Sequence, residues 1–271
     1  MKTQIFALLL TLSTVLFVSG CVTEVVDETI QKVSIQDAKN FTALKVDRSS
    51  EDINVTGWTG DTISVTADLS IWASDAAQAH QIADALAFSW STSSTTAELI
   101  VTSDKSDLEL ARLHELTISA PSRFSLDLET SSGDIRATNM IGDLQINTSS
   151  GDVTVDTKGY ITATTSDGDV HAVCGRGASL ELSSGDVSLD VTSTDFDGVN
   201  IETSSGDITV RIADSAKVTF DLTTSSGDIS VNYSGTSTST NDGSLRIDVN
   251  GGGKIVRIDA SSGNIVVKTL P

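Results

Sequence analysis

Seven copies of a Ser-x-Gly-Asp or Ser-x-Gly-Asn tetrapeptide recur in the second half of the chain, and their acidic residues are the set most suited to chemistry. Repeated carboxylates after glycine bind Ca²⁺ in β-rolls, or each can accept a hydrogen bond from a backbone N–H at a turn. In the last copy Asn264 keeps the acceptor without the charge, and the alternating glycines of calcium rolls are absent. We therefore favour structural corners without a cofactor, and weak Ca²⁺ binding is the alternative. The acidic corner residues are Asp134, Asp152, Asp169, Asp186, Asp207 and Asp228.

The spacing of the tetrapeptides predicts the elements that position these carboxylates. Their glycines are separated by 18, 17, 17, 21, 21 and 36 residues, and the last interval contains Gly243, which we expect to mark a degenerate corner. In every copy the residues five before, two after and four after the glycine are apolar, whereas the residue four before it is polar. Alternation with a period of two is typical of strands with one buried face. Each repeat is thus predicted to hold two short strands joined by a corner.

Identical apolar offsets from every corner are needed if successive repeats stack with their apolar rows superimposed. The sequence therefore predicts an all-β fold, a parallel β-solenoid or β-helix of about seven to eight coils. A β-sandwich of hairpin-paired strands is the alternative, but hairpins do not require the same offset after every turn. At the corners we expect glycine to adopt positive φ, and the serine two residues before it to bond to backbone groups of the turn.

The first 21 residues resemble a lipoprotein leader. Lys2 precedes an apolar run over residues 5–18, which is too short to span a bilayer but is typical of a signal-peptide core. The run ends in Val-Ser-Gly-Cys21, which resembles the bacterial lipobox, where the cysteine is acylated and the preceding peptide is removed. We expect lipidation at Cys21, and because Val22 rather than Asp follows it, the resemblance implies the outer membrane. An ordinary secreted protein is the alternative.

Composition and local patterns divide the rest of the chain. The predicted organisation is a signal peptide, an acylated cysteine with a tether, an N-terminal β part and the repeats continuous with it, over residues 1–20, 21–40, 41–120 and 121–271. Ser74 is predicted to cap a helix over residues 75–88. An apolar stripe on that helix is expected to cap the sheet or the end of the solenoid. The stripe consists of Ala79, Ile82, Ala83 and Leu86.

Charge and residue counts exclude several classes of function. The chain has 37 acidic and 17 basic residues, a net charge of −20, so we expect no nucleic-acid partner because the surface would repel phosphate. Three scattered histidines and two cysteines do not form a zinc motif. With Cys21 acylated, Cys174 is the only free thiol, and we expect it to be buried and inert.

One set of residues could support catalysis. Asp167, Asp169, His171 and Arg136 fall where neighbouring coils could present them on one face, as in β-helix enzymes that degrade polysaccharides. The long loops and aromatic subsites that form a cleft in such enzymes are missing from the sequence. A solvated face explains these residues better, and we expect no enzymatic activity.

The segment Val-Asp-Arg-Ser-Ser-Glu-Asp-Ile over residues 46–53, together with the seven corners, resembles a bacterial candidate-adhesin family of unknown function. The likeness covers about residues 41–270 and implies a β-helix-like fold at the cell surface. It adds little about chemistry, because a fold does not determine a function.

These patterns together predict a non-enzymatic cell-envelope lipoprotein, adhesin-like, that presents an acidic β-solenoid surface for binding or structural spacing. The expected partners are the membrane, through the lipid anchor, and an unidentified protein or glycan. The alternative function is a sensor or trap for cations or cationic peptides, because a net charge of −20 raises the local cation concentration.

Overall fold

The computed structural model describes residues 8–9, 31–73, 75–103 and 111–270, most of which lie in β-strands. Within these ranges there is one helix, α1 (Ala76–Ala85). The strands in chain order are β1 (Leu8–Leu9), β2 (Gln31–Asp37), β3 (Ala43–Asp47), β4 (Asp52–Trp58), β5 (Thr62–Ile71), β6 (Leu86–Ser93), β7 (Thr96–Ser103), β8 (Ala111–Pro121), β9 (Ser125–Thr130), β10 (Ile135–Met140), β11 (Leu144–Ser150), β12 (Val153–Thr157), β13 (Tyr160–Asp167), β14 (Val170–Cys174), β15 (Gly177–Ser184), β16 (Val187–Val191), β17 (Gly198–Ser205), β18 (Ile208–Ile212), β19 (Val218–Tyr233), β20 (Thr236–Val249), β21 (Lys254–Ser262) and β22 (Ile265–Thr269).

The strands form two parallel ladders that meet at the Gly-Asp corners. Ladder A has the spatial order β7–β3–β9–β11–β13–β15–β17–β21–β19. Ladder B has the order β8–β4–β10–β12–β14–β16–β18–β22–β19. The long strand β19 contributes its first half to ladder A and its second half to ladder B. The prediction of an all-β, mostly parallel, solenoid-like fold is confirmed.

Antiparallel strands close both ends of the ladders. At one end β6 pairs with β7, β5 with β8, β2 with β5 and β1 with β2, and at the other end β20 pairs with β19. Gly243 has positive φ and lies in β20 opposite Thr224, where the pairing with β19 shifts register beside the Gly227 corner. It therefore lies at a bend of an antiparallel strand and not at the corner of a further parallel coil. The chain reverses at Ser234-Gly235, both with positive φ, which is the geometry of a tight two-residue hairpin loop.

Stacking order differs from chain order near both ends. The pair β21–β22 lies between β17–β18 and β19, although β19 comes earlier in the sequence. In the same way β3–β4 lies between β7–β8 and β9–β10. The interval of 36 residues in the repeat thus contains a hairpin strand rather than a second stacked coil.

Superimposed aliphatic rows form the core, as the alternating pattern predicts. Leu128, Ile146 and Ala163 are neighbours in register on three successive strands of ladder A, and none is more than 1% exposed. Each fully buried leucine or isoleucine side chain in these rows contributes about 1.5–3 kcal/mol to the free energy of unfolding. Near the β20 end, Phe220 and Tyr233 make an edge-to-face contact with centroids 5.6 Å apart.

Helix α1 covers the sheet near β5 and β6. Its N-cap is Asp75, whose side chain accepts a hydrogen bond of 2.9 Å from the Gln78 N–H, and Ser74 lies outside the described residues. The helix ends at Ala85, earlier than predicted, because Leu86 and Phe88 belong to β6 and pair with β7. The predicted apolar stripe is buried, with exposures of 8% or less at Ala79, Ile82, Ala83 and Leu86.

Candidate functional site

Each corner is built on a glycine that lies directly against the corner of the neighbouring coil. A Cβ added at Gly151 would lie 2.2 Å from the carbonyl oxygen of Gly133, and the equivalent distances at the other stacked corner glycines are 2.0–2.2 Å. The corner glycines except Gly133 have positive φ, as expected. Gly133 lacks it but would still clash with the Glu51 carbonyl at 2.1 Å. Glycine is therefore required at these corners for two reasons: the neighbouring coil leaves no room for a Cβ, and most of the corners have positive φ.

The corner aspartates form a continuous hydrogen-bonded ladder along the edge between the two ladders of strands. The Asp152 N–H donates to Asp134 Oδ1 at 2.8 Å, and Asp169 N–H donates in turn to Asp152 Oδ1 at 2.9 Å. The same bond continues to Asp186 and then to Asp207, at 2.8 Å each. Each carboxylate thus accepts the N–H of the residue that occupies its own position in the next coil.

Two members of this aspartate ladder show what the position requires. Asn264 donates its N–H to Asp207 Oδ1 at 2.8 Å, and its own Oδ1 accepts from the Asp228 N–H at 3.0 Å. At the other end Asp52 Oδ1 accepts from Asp134 N–H at 2.9 Å. Asp52 was not among the predicted site residues, although the sequence Glu51-Asp52-Ile53 aligns with the Gly-Asp-Ile corners. An acceptor is kept at each of these positions, and at Asn264 it carries no charge.

The first corner uses a carboxylate in place of glycine. Glu51 Oε2 accepts from the N–H groups of Ser49 and Ser50 at 3.2 and 3.0 Å, and its Oε1 accepts from Arg48 Nη2 at 2.6 Å. Burial alone would raise the pKa of Glu51, but these hydrogen bonds and the Arg48 charge outweigh it and hold the pKa below its ordinary value. Within the described ranges, no three His, Cys, Asp or Glu residues are grouped so that they could hold a metal ion.

Buried threonines, rather than the predicted serines, satisfy backbone groups at several corners. Thr130 Oγ1 donates to the Glu51 carbonyl at 3.3 Å and accepts from the Gly133 N–H at 3.3 Å, and Thr224 Oγ1 donates to the Gly263 carbonyl at 3.0 Å. These threonines stand three residues before the corner glycine, a position that the period-two pattern places inside. Sequence reasoning missed them because the polar side chain conflicts with an apolar row.

The outer face of ladder A carries two depressions. The larger, of about 680 Å³, lies beside the corners of β13, β15, β17, β19 and β21, and we call it the C-terminal depression. Glu181, Glu202 and Asp259 occupy three successive strands in it, among serine and threonine hydroxyls. The smaller, of about 330 Å³, lies at the opposite ends of the strands near β3, β9, β11 and β13 and is called the N-terminal depression. This face is therefore polar, concave in two places and acidic toward the corners.

The residues of the predicted catalytic patch do not converge. Asp169 belongs to the aspartate ladder, and Asp167 accepts a 2.7 Å hydrogen bond from Ser184 Oγ. Arg136 and His171 are separated by the intervening strand β12 on ladder B. Among the described residues, no hydrogen bond or ion pair joins any two of these four side chains.

Of the two cysteines, Cys174 lies among the residues that the structure describes and Cys21 does not. Cys174 is a fully buried free thiol at the end of β14, and burial raises its pKa to about 12, which keeps it protonated and unreactive. Cys21, the predicted lipidation site, lies outside the described residues. No helix in the described part of the chain is long and apolar enough to cross a membrane.

Several solved structures are similar to this chain at low identity. A candidate cell adhesion protein from Clostridium sporogenes is 15% identical over 90% of this chain and 100% of its own, with a TM-score of 0.38. A candidate adhesin from Bacteroides fragilis is 13% identical over 89% and 97%, with a TM-score of 0.44. A candidate lipid-binding protein from Parabacteroides distasonis is 13% identical over 89% and 97%, with a TM-score of 0.36. No curated protein sequence matches. Over residues 29–268 the sequence matches the model of the Toastrack DUF4097 family, and the chain belongs to that family.

Proposed function

We propose that this protein is a non-enzymatic, adhesin-like lipoprotein of the bacterial cell envelope, and that it binds its partner through the outer face of ladder A. The observation that carries the proposal is the position of both depressions on this one polar face. Because parallel strands lie about 4.8 Å apart, the nine parallel strands of ladder A present polar groups at regular intervals over roughly 38 Å. Such a face suits a partner that is itself extended.

Anchoring follows from the leader sequence. Acylation at Cys21 would add about 0.8 kcal/mol of membrane affinity for each buried CH₂, so two or more chains hold the protein firmly in the outer membrane. The polar segment after Cys21 leads to β2, which begins at Gln31. The rod would then stand close to the membrane surface and face neighbouring envelope components.

A trap for cationic peptides is the second candidate function, and the acidic row of the C-terminal depression favours it. Glu181, Glu202 and Asp259 occupy neighbouring strands in register, so their charges repeat at about the strand spacing of 4.8 Å. A basic peptide would be attracted to this row, and the attraction would weaken as salt rises.

Two measurements test the main proposal separately. Metabolic labelling with palmitate should mark the wild-type protein and not Cys21→Ser, and label retained by the variant would refute the anchor. For the binding face, a photo-crosslinking amino acid is placed in the full-length protein in cells, at Gln145 or Glu202 on ladder A. The matched controls carry it at Thr154 or Thr209, which occupy the outer face of ladder B.

The crosslinking result distinguishes the two faces directly. Covalent adducts that form from the ladder A positions and not from the ladder B positions support the proposed face. Adducts that form equally from both faces, or only from ladder B, refute it. Adducts that disappear from Glu202 but persist at Gln145 when salt is raised favour the cationic-peptide alternative at the C-terminal depression.

A further inference from the structure

The N-terminal depression has the size and shape of a small-molecule site. Its volume is about 330 Å³, near the lower end of the range of about 300–1,000 Å³ that is typical of such sites. Leu44, Leu126 and Leu144 lie beneath it, but their side chains face the core and are 0–2% exposed, so the strand backbone forms its floor. The half-buried Tyr160 forms part of its wall, and an aromatic wall suits a compact ligand that has an apolar face.

Polar side chains of both signs surround this floor. Lys45, Asp127, Gln145 and Thr162 occupy successive strands in register, so adjacent members lie about 4.8 Å apart. Lys45 and Asp127 are half-buried although they face outward, because the surface is concave at this point. Within the described part of the chain, Lys45, Asp127 and Gln145 form no side-chain hydrogen bond or ion pair, so their polar groups are available to a ligand.

The border of the depression is held in place by an ion-pair cluster. Asp143 accepts from Arg176 Nη1 at 3.2 and 3.3 Å and from the Tyr160 backbone N–H at 2.8 Å. Arg176 also binds Asp197 Oδ2 at 2.6 Å. Burial raises the pKa of the Tyr160 phenol, with added contributions from Cys174 and Asp197, so the hydroxyl stays protonated and can both donate and accept.

Charge limits the class of ligand that this depression can take. Lys45 and Arg176 are outnumbered by four carboxylates, because Asp197 binds Arg176 and Glu98 is in register with Lys45, in addition to Asp127 and Asp143. An anion would therefore be repelled here as well as by the net charge of −20. A neutral ligand rich in hydroxyl groups can bond to every polar group of the depression, because carboxylate, amide, ammonium and hydroxyl groups all form hydrogen bonds with hydroxyls.

We propose that the N-terminal depression binds one neutral pyranose unit of a glycan, with the Tyr160 ring against the apolar face of the sugar and with Asp127 and Gln145 bonded to its hydroxyls. This inference rests on the proposed function, since it names the ligand class for one part of the ladder A face. A single sugar has few atoms, so its dissociation constant is expected in the millimolar range. Repeated sugars on a polysaccharide would add avidity.

The two tyrosines of the chain allow a direct test by ¹⁹F NMR. The full-length protein is labelled with 3-fluorotyrosine in a zwitterionic detergent without a sugar headgroup, because alkyl glycosides would compete. Neutral methyl glycosides of glucose, galactose, mannose and N-acetylglucosamine are the probes. The Tyr160 resonance should shift saturably with at least one of them, while Tyr233 serves as the internal control because it is fully buried. Replacement of each tyrosine by phenylalanine assigns the two signals.

Variants then test the contacts. Backbone amide shifts measured for Gln145→Ala and Tyr160→Ala should show binding of the same glycoside weakened about tenfold, the usual effect of losing an aromatic contact or a hydrogen bond. The matched control is Asn200→Ala, which lies in the same outward row but outside the depression. Thermal melts confirm that each variant is folded.

Each outcome has a defined meaning. No saturable shift with any of the four glycosides, or equal binding by Tyr160→Ala and wild type, overturns the sugar site. Shifts at Tyr233 equal to those at Tyr160 would also overturn it, because they would indicate a general solvent effect. None of these results affects the crosslinking or palmitate experiments, so failure of the sugar site and failure of the proposed function are distinguishable.

Discussion

Replacing Gly185 with alanine tests the close stacking of the corners. A Cβ at this position would lie 2.1 Å from the Gly168 carbonyl oxygen, and φ is +124°. Positive φ alone costs an alanine about 1–2 kcal/mol. Relieving the clash moves the two coils apart by more than about 1 Å, which adds an overpacking cost of about 1–3 kcal/mol and weakens the hydrogen bond from Asp186 N–H to Asp169. We expect the free energy of unfolding to fall by about 4 kcal/mol in total.

Gly243 provides the matched control for this experiment. Its φ is also positive, +104°, but no atom lies within 4 Å of the position of an added Cβ. Gly243→Ala should therefore show only the conformational cost, about 1–2 kcal/mol. Urea unfolding followed by circular dichroism measures both variants. If the two variants lose the same stability, the corners do not stack as closely as described here.

Four further predictions concern the corners and the core. Asp186→Asn should leave the urea midpoint nearly unchanged, whereas Asp186→Ala should lower the free energy of unfolding by about 1 kcal/mol. If Ca²⁺ instead raises the melting temperature of the wild type and of neither variant, the calcium alternative is supported. Thr165→Val should stabilise the protein by about 1 kcal/mol because the Thr165 hydroxyl is buried without a partner, whereas Thr224→Val, which removes a hydrogen bond, should destabilise it. Cys174 should resist iodoacetamide at pH 8 until the protein is unfolded, and rapid native alkylation would contradict its burial. Folding lowers the pKa of Glu51, so its ionised carboxylate stabilises the protein above its ordinary pKa of 4.5 and this effect is lost as the pH falls below that value. In Glu51→Gln the free energy of unfolding should therefore fall less steeply on acidification than in the wild type.

Most of the parallel ladder architecture could be predicted from the alternating pattern. The apolar residues at fixed offsets, such as Ile146 and Val153, are buried in register with their counterparts on neighbouring coils. The aspartate hydrogen bonds could also be anticipated, because Asn264 shows that an acceptor is enough. The pairing of Asp186 N–H with Asp169 in particular depends on coil spacing, which the sequence does not state.

The stacking order of the coils could not be predicted, because coils with equivalent apolar rows can pack next to one another in any order. Chain order suggested that the coil of Gly227 follows that of Gly206, but the glycine stacking places Gly263 between them. The hairpin at Ser234-Gly235 pairs β20 with β19, and its two-residue loop is a weak signal in a segment rich in serine and glycine. The N-terminal depression was also missed, because Lys45, Asp127 and Gln145 are far apart in sequence and meet only through strand register.

The strands β21 and β22 lie between β17–β18 and β19, which precede them in the chain, and this position has a consequence for folding during synthesis. Because Lys254–Thr269 is synthesised after β19 and β20, an emerging chain cannot complete its C-terminal layers until this segment has been translated. A chain that stops early would leave β17 and β19 facing each other without their shared neighbour, with aliphatic side chains open to proteases. The segment that forms β21 and β22 thus completes the C-terminal layers, and truncated copies without it would be open to proteolysis.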